Sequence, residues 1–259
     1  MSERRRAPGD SNPSGQHVRA QLSTSVRQFL FCLTCVQLNV INWIQAGAEH
    51  GFGSRFEFRC VQDSGNSNDC QNCAQEGRNC EQVPAGIEGH RYELLSLIAW
   101  VNLMWGSYDP TRPYFDGFER NWILPGRVLA QLGAKIANLC QSFRLLAQNH
   151  IDEHGIYSGC SRARRAHYRN WLLSRQPIPC AIELDGSPER FADFSLSKHK
   201  SIDTEDHVHN WYGAIRSFRQ SVTRHVEDGV RGTIHQNDYA GFLGRFPDRI
   251  LPAFPHGFQ

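Results

Sequence analysis

Nine cysteines in 259 residues are the part of this sequence with the most chemistry in them, and their spacing is not scattered. The stretch CQNCAQEGRNC places Cys70 and Cys73 three apart and Cys80 seven further on. Cys32-Leu33-Thr34-Cys35 repeats the C-x2-C spacing, and Cys60 stands between the two pairs. A C-x2-C loop is short enough to bring two sulfurs to one ion while its backbone amides point at them, and zinc takes four such ligands in a tetrahedron. Cys70 and Cys73, flanked by Cys60 and Cys80, therefore form a candidate four-sulfur zinc site, with Cys32 and Cys35 as a further pair. Four thiolates leave no open position for substrate, so such a zinc is structural. The same residues have two other readings, a disulfide framework in an oxidising compartment and ordinary buried thiols. Cys140, Cys160 and Cys180 need no account beyond the last.

Other reactive types are less organised. Arg4-Arg5-Arg6 and the group Arg162, Arg164, Arg165 and Arg169, interleaved with His167, Tyr168 and Trp171, are candidate nucleic-acid contacts. At helical spacing the second group spreads around the axis. His207 and His209 sit two apart, which points them to different sides of a helix, and Asp152-Glu153-His154 reads as a solvated turn. No phosphate-binding loop, G-x-G-x-x-G, H-E-x-x-H or G-x-S-x-G motif is present. Nothing nominates a catalytic residue, and the chain reads as a non-enzyme.

The elements that must position the cysteines follow from composition and periodicity. Hydrophobic residues are 40% and charged residues 21% of the chain, enough for a packed core, and a formal net charge of +2 does not by itself call for a polyanionic partner. Residues 1–20 read as a disordered basic tail. Residues 21–86 read as an apolar helix over 22–44, capped by Ser23 or Thr24 and ended by Gly47, followed by a loop-rich cysteine module in which Phe56 and Phe58 sit on a short extended piece. The apolar run is too short and too polar to span a membrane. Arg27 ahead of it and Ala46-Gly47-Ala48 behind it also fit a secretory signal ending near Ala48. Residues 87–229 read as a helical domain with helices at 88–105, 124–148, 161–175 and 201–229; 107–117 is a turn-rich break and 176–200 a loop. Residues 230–259 read as an irregular tail.

The segment RCVQDSGNSNDCQNCAQEGRNCEQVP resembles the second part of the fungal binuclear zinc cluster of transcription regulators. That family runs C-x2-C-x6-C, a loop, then C-x2-C-x6-8-C. Cys60, a nine-residue gap, Cys70-x2-Cys73 and x6-Cys80 match its last four ligands, and Cys32-x2-Cys35 takes the place of its first pair. Asn72, Gly77-Arg78 and the Val83-Pro84 exit belong to the same likeness. The chain departs from the pattern between Cys35 and Cys60, where 24 residues stand in place of six and Arg55 and Arg59 are the only arginines, with no lysine. In the family that interval is basic and forms the helix that enters the DNA major groove. The resemblance thus implies zinc more strongly than sequence-specific DNA reading.

The expectation is a mainly α protein: a helical domain with a small loop-rich cysteine/zinc module near the N-terminus. Its role is zinc binding in an intracellular, nucleic-acid-associated setting such as transcription regulation in the nucleus, with DNA as partner. A secreted, disulfide-containing protein and an enzyme with an unrecognised site are the rival readings.

Overall fold

The computed structural model describes residues 31–52, 55–61, 69–105, 124–175, 186–200 and 205–251. These are mainly helical, and no β-strand forms among them. The helices are α1 (Leu33–His50), α2 (Gln71–Gln75), α3 (Glu88–Asn102), α4 (Gly126–His154), α5 (Arg162–Ser174), α6 (Pro188–Leu196), α7 (Glu205–Val230) and α8 (Gln236–Leu243), with 3-10 turns at Ala85–Ile87, Leu103–Trp105 and Asp248–Ile250. The expected tail at 1–20, Ser23, Thr24, Arg27 and the break at 107–117 lie outside the described residues.

The two longest helices form because each carries one apolar stripe at helical period. On α4, Val128, Leu129, Leu132, Ile136, Leu139, Cys140, Phe143 and Leu146 are all buried. On α7 the stripe is Trp211, Tyr212, Ile215, Phe218, Val222 and Val226. Phe143 meets the edge of Trp211 at 5.8 Å. Gly229 of α7 faces α4 in the same seam, where a Cβ would stand 3.0 Å from a Val128 methyl. Gly229 lies inside α7, where its small size serves close approach. α3 is buried on nearly every side, as its composition requires.

Two expected irregular segments are helical. Within 176–200, Ser187 accepts a hydrogen bond from Arg190 N and Pro188 occupies the first turn of α6, a start signal that the surrounding polar residues outweighed in the sequence. α6 then packs on α3, with Tyr92 and Phe194 4.2 Å apart and Ser96 Oγ donating to Pro188 O. Within 230–259, α8 buries Tyr239, and Phe246 and Ile250 also reach the core. Trp100 Nε1 donates to Phe242 O, which ties α8 to α3.

The cysteine region is not set apart from this body. One continuous buried cluster runs from Phe31 to Ile250 and includes Cys32, Cys35, Cys60, Cys70 and Cys73. Phe31 packs against Phe143 of α4 at 5.8 Å, and Trp105 Nε1 donates to Phe52 O.

Candidate metal centre

Each C-x2-C pair opens a helix. Cys32 occupies the N-cap of α1 and its Sγ accepts from Cys35 N at 3.3 Å. Cys70 occupies the N-cap of α2 and its Sγ accepts from Cys73 N at 3.4 Å. Cysteine sulfur thus takes the capping role expected of Ser23 or Thr24, and α1 ends at Gly51, with φ +78°, rather than at Gly47. Gly47 is instead packed beneath Phe52, whose ring a Cβ would meet at 2.4 Å, so Ala46-Gly47-Ala48 lies within a packed helix.

The two knuckles face each other. Cys32 Sγ lies 3.8 Å from Cys70 Sγ and 3.7 Å from Cys73 Sγ; Cys35 Sγ lies 3.5 Å and 3.9 Å from the same two atoms. A tetrahedron of sulfurs about 2.3 Å from a zinc has edges of about 3.8 Å, so these separations fit a metal of that size. Two quartets have all ligand atoms within 4.8 Å of one another: Cys32, Cys35, Cys60 and Cys70, and Cys32, Cys70, Cys73 and Cys80. Neither is the Cys60, Cys70, Cys73, Cys80 set that sequence proximity suggested. Cys60 joins the first knuckle and Cys80 the second, because the segment 55–61 is held against α1 by the Trp43–Phe56 ring contact and by Asn39 Nδ2 donating to Arg59 O. Cys32 and Cys70 belong to both quartets, the place of bridging sulfurs. The four knuckle cysteines alone also satisfy the same 4.8 Å limit, as a single site.

Hydrogen bonds fix the loops around these sulfurs. Cys70 N and Gln82 Nε2 both donate to Cys80 Sγ. Asn39 Nδ2 on α1 and Asn72 Nδ2 on α2 both donate to Arg59 O, holding the Cys60 segment between the knuckles. Leu33 N donates to Glu81 O, and Thr34 Oγ1 donates to Asn79 O. Gly77, with φ +61°, makes the turn that carries the chain from α2 toward Cys80. Such outer contacts orient ligands and tune a metal's affinity.

Packing the thiols together perturbs them strongly. Hydrogen bonds from Cys35 and Cys60 hold Cys32 far below the ordinary thiol range. The same bonds, seen from the donors, push Cys35 and Cys60 up. Burial pushes Cys73 up and raises Cys80 to about 12. Gathering ionised thiols this closely needs a positive charge at their centre. The eight cysteines among the described residues are free thiols; Cys140 and Cys160 stand outside the cluster, and Cys180 lies outside the described residues.

Of the expected nucleic-acid contacts, Arg4, Arg5 and Arg6 lie outside the described residues. Arg162, Arg164, Arg165 and Arg169 are all exposed on α5, which buries no residue of its own. They lie on a different element from the cysteines. A groove of about 730 Å³ runs beside Cys60, with Phe58, Leu95, Ile98, Leu103 and Phe191 as its apolar lining and Arg55, Glu57 and Arg59 also bordering it. No described helix is long and apolar enough to cross a membrane.

Two buried centres escaped the sequence reading. Arg91 is 7% exposed and Glu93 fully buried, both on α3. Charged residues in a helix that is apolar all round were the available signal, since burial there leaves them no route to water. A third, His150, packs between His154, Tyr168 and Trp171 at the α4–α5 corner.

No family model, curated protein or solved structure matches this chain.

Proposed function

We propose that this chain is a structural metal-binding protein whose six cysteines, Cys32, Cys35, Cys60, Cys70, Cys73 and Cys80, hold two zinc ions with Cys32 and Cys70 as bridging ligands. The observation that carries the reading is the pair of four-sulfur sets sharing those two cysteines. Six thiols gathered in two overlapping sets exceed what one tetrahedral ion can take, and two ions sharing two sulfurs use all six. The order of the cysteines and their likeness to the binuclear cluster of fungal transcription regulators support the same count. The metal would fasten α1 and the segments 55–61 and 69–83 to the helical body and would do no chemistry itself.

Metal analysis of the reduced full-length protein tests this. Two zinc per chain is the expected result, and cobalt substitution should give the intense absorption of tetrahedral thiolate ligation. One zinc per chain, unaffected by Cys60→Ser or Cys80→Ser, would assign the site to the two knuckles alone. Less than about a tenth of an equivalent overturns metal binding altogether.

An anionic partner, with DNA as the case to test, is favoured by α5: its exposed arginines share a helix that has no acidic residue. The helix following the first knuckle, α1, contributes no lysine or arginine. Duplex binding should therefore depend on α5 and fall steeply with salt. Replacing Arg162, Arg164, Arg165 and Arg169 by Ala should reduce the salt slope by as much as about 3.6 if all four touch phosphate. Binding that survives those replacements with its slope unchanged would remove α5 from the interface.

A further inference from the structure

Arg91 has two guanidinium nitrogens, Nε and Nη2, that are buried without a hydrogen-bond partner. A buried charge normally has a counterion and a full set of acceptors. Its guanidinium carbon stands 5.1 Å from the centroid of Phe31. A cation–π contact of that kind is weak against the cost of burying an isolated charge. Phe31 precedes Cys32 directly and packs at 4.3 Å on Phe58, two residues before Cys60. The guanidinium is thus seated against Phe31, the residue before the first cysteine of the cluster, and feels the charge of Cys60 and Cys32.

We infer that Arg91 is a positioning residue for the thiolate cluster, its buried guanidinium supplying the positive charge that a two-metal, six-thiolate centre requires. This rests on the two-metal reading above. Six thiolates around two divalent ions leave two negative charges within the protein. Burial disfavours the charged guanidinium, while Glu88, Tyr92, Cys60 and Cys32 are the negative groups that favour it. Tyr92 is itself held protonated, its pKa raised to about 12 by burial. Glu88, one turn earlier, is only half-buried and forms no ion pair with Arg91. After Glu88, whose carboxylate is the largest of these influences but lies half in solvent, the cluster is the second source of negative charge, and it carries that charge in full only when metal has ionised the thiols.

The arrangement predicts unequal effects on the metal-bound and metal-free protein. Arg91→Met keeps most of the length of the side chain and removes its charge. In the full chain, zinc affinity measured by competition with a chromophoric chelator should fall about tenfold to a hundredfold, as for other outer residues of metal sites. The reduced, zinc-free form should lose much less stability to urea than the zinc-bound form, or none, because far less negative charge then faces the guanidinium. Arg91→Lys should stay within about threefold of wild-type affinity, since the charge remains. If Arg91→Met does not fold, Arg91→Gln against Arg91→Lys gives the same comparison. Two ions bound with equal affinity by wild type and the uncharged variant overturn the assignment alone, as does equal destabilisation of the bound and free forms. Wild-type protein that takes up no second ion overturns the two-metal reading and this assignment with it.

Discussion

Arg91 and Glu93 lie two residues apart on α3, are both buried, and solve the problem of an interior charge differently. Glu93 is closed by its neighbours: His90 Nδ1 at 2.7 Å, Lys200 Nζ at 2.5 Å, Trp211 Nε1 at 2.8 Å and Tyr212 OH at 3.4 Å. Burial alone would raise its pKa, but His90 and then Lys200 outweigh burial and hold it ionised. Tyr212 is pushed up by burial and then by the same carboxylate, and stays a donor. Arg91 has no such set. On α3, then, one charge is satisfied by side chains of α3, α7 and the segment after α6, and the other lies against Phe31 with two nitrogens lacking acceptors, beside the segment that carries Cys32. A charge whose protein partners are complete marks structure; one whose partners are incomplete points to a ligand.

The sharpest way to separate the two centres is to remove the metal. Structural zinc contributes on the order of 10 kcal/mol to folding in small domains. Chelation of the reduced protein should cost hydrogen-exchange protection at residues 32–36 and 70–80 while α4 and α7 remain helical and protected. Collapse of far-UV helicity would show that the shared core makes the body depend on the cluster, and the contrast between the centres would fail.

Breaking the Glu93 centre comes next in size. Glu93→Ala leaves Lys200 and the Trp211 N–H without their acceptor and should cost about 3–5 kcal/mol in urea unfolding, whether or not metal is bound. Glu93→Gln should cost less, because it retains acceptor capacity. A loss confined to the metal-bound form would mean that Glu93, too, belongs to the cluster.

Acid probes a third buried group of comparable magnitude. Burial, then the nearby His154 and His90, lowers the His150 pKa to about 3. Gly86 N donates to Tyr168 Oη, which leaves the Tyr168 proton for His150 Nε2. Between pH about 3 and the unfolded value of about 6.5, the unfolded chain binds the extra proton. Stability therefore rises with pH across that window and is lost as pH falls, by up to roughly 5 kcal/mol. Glu93, with a lowered pKa, loses its contribution further down, as pH falls below about 4.3 and through its folded value. His150→Phe should flatten the urea-derived profile most between pH about 4.3 and 6.5, where Glu93 does not contribute, and leave the limb below pH about 3 intact; an unchanged upper limb would rule His150 out as its source. The smallest effect belongs to α6: Ser187→Ala removes its N-cap and should cost about 1 kcal/mol by thermal unfolding, equally in the bound and free protein.

The helices that carry their own stripe are legible in the sequence. α4 and α7 need only period and apolar residues, and α3 only apolar residues on most of its faces, so their existence follows from the chain itself. α6 and α8 are not legible there, because each is short and gains its stability from packing, α6 on α3 and α8 on α7, rather than from its own composition. The C-x2-C spacing identifies the metal-ligating residue types, since that spacing is local chemistry. It cannot say how they group. Cys60 is nearer to Cys70 in sequence than to Cys35, yet the Asn39 and Asn72 bonds to Arg59 seat it between the two knuckles.

Helical period and knuckle spacing are short-range properties of a chain, and they suffice to make this protein mainly helical with six of its cysteines placed to act together. Which sulfurs share a site, and which buried charge lacks a partner, are settled at longer range. Both depend on segments tens of residues apart meeting in one core, where the loss of water makes every unpaired charge costly.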